Sequence, residues 1–270
     1  MKGESHHHTT LHLRGSSTLL CQWVSTHEAA KDPKLRAFVA ELYLYLAISM
    51  GIPLGSESHY FISQEADLLF PFVKAERHPG PLLGCAHELF ELIPQIHTLA
   101  RTCSDLARGV APSSEPTHTY QQLVDKLFAW KPPRDARNDF VSCARVYQQA
   151  LLVFLLMSMQ RFIDQPINTS EVIDQAFAVA EGELRALSLD SPISTTLTWP
   201  LAVLGSSSNV PGHQEVVRIR LQHLYQHLHW TVFDQVLCIL EVLWGDHSLP
   251  RGMEGFEIVM NRLKMHVLIS

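Results

Sequence analysis

Apolar residues recur along most of this chain at intervals of three and four, the spacing that gathers them on one side of an α-helix. The first clear run is PKLRAFVAELYLYLAISMG, where Leu35, Phe38, Val39, Leu42 and Leu46 fall at helical intervals and Gly51 closes the run. Asp32 stands where an N-cap is wanted, and Pro33 takes the first helical position, which needs no N–H donor. A shorter helical stretch covers Phe61–Phe72, and Glu76–Pro81 (ERHPGP) reads as a loop. Leu82–Ala107 carries a helical period that Pro94 should kink or divide. Ala111–Pro116 (APSSEP) is the strongest linker signal. Tyr120–Trp130 is amphipathic and stops before Pro132, because a residue preceding proline disfavours the helical region.

Phe140–Ile163 predicts a further helix, and its Ala150–Met157 segment is apolar on nearly every face. Such a helix must be surrounded by others, so it is the expected centre of the core. Thr169 or Ser170 can cap the next helix, which runs to about Leu187. The tract from Trp199 to Trp244 then predicts a short helix (Pro200–Leu204) stopped by Gly205, a loop over Ser206–Gly212, and a long helix or helix pair bearing Arg218 and Arg220. Met253–Leu268 supplies a last helix. No segment alternates with period two between hairpin turns. The pattern therefore predicts an all-α fold, a single large bundle of roughly ten helices over residues 18–270. Residues 1–17 read as a mobile N-terminal tail.

Composition narrows the function classes. The 270 residues are 46% hydrophobic with mean hydropathy +0.04, enough apolar material for a sizeable core. The longest apolar run falls far short of the roughly 20 residues that span a bilayer, and no apolar leader opens the chain, so no membrane is expected. The formal net charge is −6 and no basic run interrupts it, which argues against autonomous DNA binding. Cys21, Cys85, Cys103, Cys143 and Cys238 are scattered and never spaced as C-x-x-C. They suit buried free thiols in a reducing intracellular compartment, nucleus or cytoplasm, better than zinc or a disulfide framework.

Five stretches, in order, resemble the C-terminal helical regulatory domain of fungal zinc-cluster transcription factors. They are AELYLYLAISM (to Met50), PLLGCAHELFELIPQIHTLA (Pro81–Ala100), Leu123–Trp130, YQQALLVFLL (Tyr147–Leu156) and the tract Trp199–Trp244. Together they cover about residues 35–268. The zinc cluster that reads DNA in that family has no counterpart in this sequence. The resemblance implies an all-α regulator that works through a protein partner, such as a full-length transcription factor, or a small-molecule effector.

Motifs that carry chemistry are scarce. His87-Glu88-Leu89-Phe90-Glu91 superficially matches a zincin helix but has Glu91 where the second imidazole must stand, so no metal is expected. His223, His227 and His229 cluster without a matched carboxylate or cysteine and read as a polar helix face. Arg218 and Arg220 are expected to form salt bridges. No phosphate loop, nucleophile elbow or cofactor motif is present, and no cofactor is implied. A second function class stays open: a helical scaffold repurposed as a cofactor-independent cyclase or isomerase of fungal secondary metabolism. It would need an apolar pocket holding a reactive conformer, with Tyr43, Tyr45, His87, Tyr147 and Trp199 as the candidate lining residues.

Overall fold

The Asp32 carboxylate accepts the Leu35 N–H at 3.0 Å, so the first long helix begins with one of its orphan donors satisfied, as its sequence predicts. The computed structural model describes residues 15–51, 56–75, 80–106, 115–160, 169–265 and 267. Of the expected tail, residues 1–14 lie outside that range and residues 15–17 open helix α1 (residues 15–24). The first half of the chain adds α2 (His27–Lys31), α3 (Pro33–Gly51), α4 (Ser56–Ala75), α5 (His87–Phe90), α6 (Leu92–Leu106) and α7 (Glu115–Ala129). The second half contains α8 (Asn138–Met159), α9 (Thr169–Ala186), a 3-10 turn η1 (Pro192–Leu197), α10 (Thr198–Ser207), α11 (Pro211–Leu228), α12 (Thr231–Gly245) and α13 (Met253–Leu263). Among the described residues there is no strand, only an isolated bridge between Gly80 and Gly84. The expected all-α bundle is what forms.

Helix α8 is the centre of that bundle. It packs against α6, α7, α9, α10 and η1, and Val146, Ala150, Leu151 and Val153 are fully buried. By length and hydropathy alone α8 could cross a membrane, but here its apolar faces are covered by other helices. Helix α10 is the second buried element, with every residue inside. It lies against α8 on one side and the α11–α12–α13 group on the other.

Three boundaries differ from the sequence pattern, each for a physical reason. The row Leu35, Phe38 and Leu42 on α3 faces outward, with 48%, 44% and 37% exposure. The buried side instead carries Ala40, Glu41, Leu44, Tyr45, Ala47 and Ile48. Helix α3 is apolar on nearly all sides, so periodicity alone could not select its inner face.

The second difference lies between residues 80 and 92. Leu82 does not begin a helix, because Glu41 Oε1 accepts the N–H groups of Leu82 at 2.9 Å and Leu83 at 2.6 Å and holds the segment as a turn. Gly84 takes φ +53°, a left-handed conformation that disfavours a side chain, and its N–H reaches the Gly80 carbonyl at 3.2 Å. A Cβ on Gly80 would collide with the Glu41 carboxylate. The break between α5 and α6 falls at Glu91, ahead of Pro94. Pro94 sits in the first turn of α6, where its missing N–H costs nothing.

The third difference is at Gly205, which continues α10 to Ser207 instead of ending it. A Cβ there would come within 2.8 Å of Leu240 and 3.1 Å of Val217, so glycine serves close helix packing. The Trp244 indole donates to the Gly205 carbonyl at 2.8 Å, tying α12 to α10. Ser206 to Ser208 are consequently buried, and only Asn209–Gly212 of the expected loop is exposed. Of the expected linker Ala111–Pro116, residues 111–114 lie outside the described residues, and Glu115 and Pro116 open α7.

Candidate functional site

The aromatic candidates assemble in the core. Tyr147 stacks on Trp199 with ring centroids 5.8 Å apart and planes 9° from parallel. Phe90 bridges Tyr147 at 4.8 Å to Tyr45 at 6.3 Å, and Phe154 meets Trp199 edge-on at 6.0 Å. Tyr45, Tyr147 and Trp199 are thus brought together, with Phe90 between the two tyrosines. Tyr43 is buried on the same helix as Tyr45. His87 is half-buried at the start of α5, three residues before Phe90.

Turn η1 supplies the polar partners of the stack. The Tyr147 hydroxyl donates to the Thr196 carbonyl at 2.5 Å, and the Cys143 thiol lies 3.6 Å from the Thr196 hydroxyl. Burial pushes the Cys143 thiol up to about 12 and the phenols of Tyr45 and Tyr147 well above their ordinary value. At neutral pH these groups are protonated, so no thiolate or phenolate is available as a nucleophile or base. The Trp199 indole N–H has no hydrogen-bond partner among the described residues.

Of the remaining sequence candidates, Glu91 and His227 have ion-pair partners. Glu91 pairs with Lys74, and its charge also acts on the His87 imidazole. Burial holds the His87 imidazole below its usual value. His227 lies 3.2 Å from Asp190, and His223 and His229 are exposed on the same stretch. His229 closes α11 in a left-handed conformation at φ 56°. Among the described residues no three His, Cys, Asp or Glu side chains are grouped to hold a metal.

Arg218 and Arg220 go separate ways. Arg218 pairs with Glu241 at 2.6 Å and with Glu215, and its guanidinium lies 5.1 Å from the Trp244 ring centroid. Arg220 is buried and caps the end of α9, donating to the carbonyls of Leu187 at 3.1 Å and Leu184 at 3.4 Å. Its charge thus meets the negative end of a helix dipole rather than a carboxylate. The salt bridges expected of both arginines are made by Arg218.

An open groove lies elsewhere, where several helix ends converge. Its volume is about 420 Å³. Met157 and Gln160 from the end of α8 form one side, and Thr169, Ser170, Ile173 and Asp174 from the start of α9 form another. Ser207 to Val210, linking α10 to α11, and Pro250, Arg251 and Glu254 near the start of α13 complete it. The wall is locked by a hydrogen bond from the Gly252 N–H to the Ser206 carbonyl at 2.8 Å. Ser208 Oγ lies 2.9 Å from His213 Nδ1 and accepts the Val210 N–H at 3.1 Å. The His213 ring stacks on Phe177 at 4.1 Å, and burial lowers its imidazole below the usual value despite the nearby Asp174 and Glu181. None of the five aromatic and histidine candidates lines this groove. In the sequence only the Ser-Ser-Ser-Asn segment after Gly205 marked its place; the other walls carry no motif.

The fold therefore holds a buried aromatic core and a surface groove, framed by the tracts that resembled a fungal regulator. The family model described as "Fungal specific transcription factor domain" matches residues 1–268, and the chain belongs to that family. It is similar to the protein named "Transcription factor iacI" of Pestalotiopsis fici, at 23% identity over 216 residues. That match covers 80% of this chain and 51% of the relative, so the chain spans about half of the relative's length. No solved structure matches.

Proposed function

We propose that this chain is the regulatory part of a nuclear transcription factor system that controls a secondary metabolic pathway, and that it acts through a protein partner or a small-molecule effector. The family match over nearly the whole length carries this reading. Two structural features support it. The arginine pair best placed to read DNA is committed, Arg218 to acidic side chains and Trp244, Arg220 to the carbonyls of α9. The net charge of −6 adds no field to draw in a phosphate backbone. The pathway assignment follows what the family resemblance implies.

The cyclase or isomerase reading needs an enclosed space beside Tyr45, Tyr147 and Trp199, whose rings pack through Phe90 and on one another. One experiment separates the two readings. Deleting the gene in its native host and sequencing transcripts is expected to change a coordinated set of biosynthetic genes. A metabolite lost while every transcript stays level would overturn the regulator and favour the enzyme.

A further inference from the structure

Between the end of α9 and the start of η1 the chain runs through Leu187, Ser188, Leu189, Asp190 and Ser191 outside any helix. The serines around this link differ in what they can offer. Ser191 is buried and donates to the Asp139 carboxylate at 2.6 Å, and Ser194, in η1, is buried and donates to the Ser188 carbonyl at 2.6 Å. Ser188 is exposed, and its Oγ accepts the Asp190 N–H at 3.1 Å. Arg185 stands three residues before it with a side chain 79% exposed, tied to Glu181 by a surface pair of the kind that contributes little. We propose that Ser188 is a phosphorylation site for a kinase that selects an arginine three residues upstream, and that the phosphate it receives is held against α11.

Helix α11 reaches the link on both sides of Ser188. Arg220 donates to the Leu187 carbonyl at 3.1 Å, and His227 Nε2 lies 3.2 Å from Asp190 Oδ1. Arg220 is a buried guanidinium that no carboxylate pairs with among the described residues, and its Nε has no hydrogen-bond partner there. A buried cation without a counter-charge is costly, and a phosphate brings close to two negative charges and three acceptor oxygens. The carbonyl end of α9 and the Asp190 carboxylate work against a dianion here, but Arg220 already occupies the first and His227 the second. In the transfer, Ser188 Oγ attacks the γ-phosphorus of ATP and the new Oγ–P bond replaces the bond to the bridging oxygen. ADP leaves, and the hydroxyl proton passes to the base of the kinase. The modified residue lies next to η1, which also carries Thr196, the hydrogen-bond partner of Tyr147, so the phosphate acts on the segment joining the aromatic core to α11.

The folded full chain is incubated with ATP and calcium/calmodulin-dependent protein kinase II, which selects arginine at that position, and phosphate is located by tandem mass spectrometry. Ser188 is expected to be modified ahead of Ser17, which follows Arg14 at the same spacing but is buried. Arg185→Ala should slow modification of Ser188 about tenfold, the scale of one charge-assisted pair lost from the transition state. In a phosphorus NMR titration the second ionisation of the phosphate should lie lower in the folded chain than in a phosphopeptide of residues 183–193, because α11 favours the dianion. Ser188 left unmodified, modified no faster than Ser17, or modified equally fast in Arg185→Ala overturns the kinase site. A second ionisation equal to the peptide's, or higher, overturns the hold against α11. The site does not depend on the regulator reading, and the gene-deletion result stands or falls separately from it.

Discussion

Glu41 shows how a single residue can join two motifs that look independent in the sequence. Its Oε1 accepts two backbone N–H groups from the turn that follows Pro81. Burial raises its carboxyl above the usual value, and the two donors partly offset that. Glu41→Ala would leave both donors buried without acceptors and open a void, at about 2–5 kcal/mol of stability. Glu41→Gln keeps an oxygen in place and removes the buried charge, so it should cost less than about 1 kcal/mol. Urea unfolding of both variants checks this; equal losses would show that charge, not acceptance of the two N–H groups, is what matters. Nothing in the sequence pointed to this role, because a lone Glu inside an apolar helix has no visible partner until the turn 41 residues away is in position.

At the scale of elements, the sequence was most readable where local chemistry decides. The Asp32 cap and the proline-terminated end of α7 both formed where their residues required. It was least readable where tertiary packing decides, as on α3, whose apolar residues surround the helix. The outward row gives a direct test. Phe38→Ser with Leu42→Ser should change Tm by no more than a degree or two, since surface changes are usually within about 0.5 kcal/mol. Leu44→Ala, at 1% exposure, should cost about 2–5 kcal/mol. A reversed order would place the inner face of α3 on the other side. The groove was unreadable for a related reason: its walls are helix ends, each unremarkable alone, and their meeting depends on how α8, α9, α10 and α13 pack.

For the whole molecule, the perturbed titrating groups set how stability changes with pH. His87 and His213 have imidazoles lowered by burial, so their contribution is present above the ordinary imidazole value and is lost as pH falls through their lowered folded values. Glu41 works in the opposite sense: its raised value gives a contribution present at low pH that is lost as pH rises through the folded value. Unfolding free energies measured between about pH 5 and 8 should therefore fall on acidification as the histidines charge, and His213→Gln should reduce that fall. An unchanged slope in the variant would remove His213 from the account. The bundle architecture and the family were legible in the order of the five apolar tracts. The committed arginines, the buried aromatic stack and the groove emerged only with the packing. The hold of Glu41 on the turn between Gly80 and Gly84 also bears on modularity. Helix α3 and that turn are not interchangeable parts, and a chimera exchanging either one with a relative must bring its counterpart along.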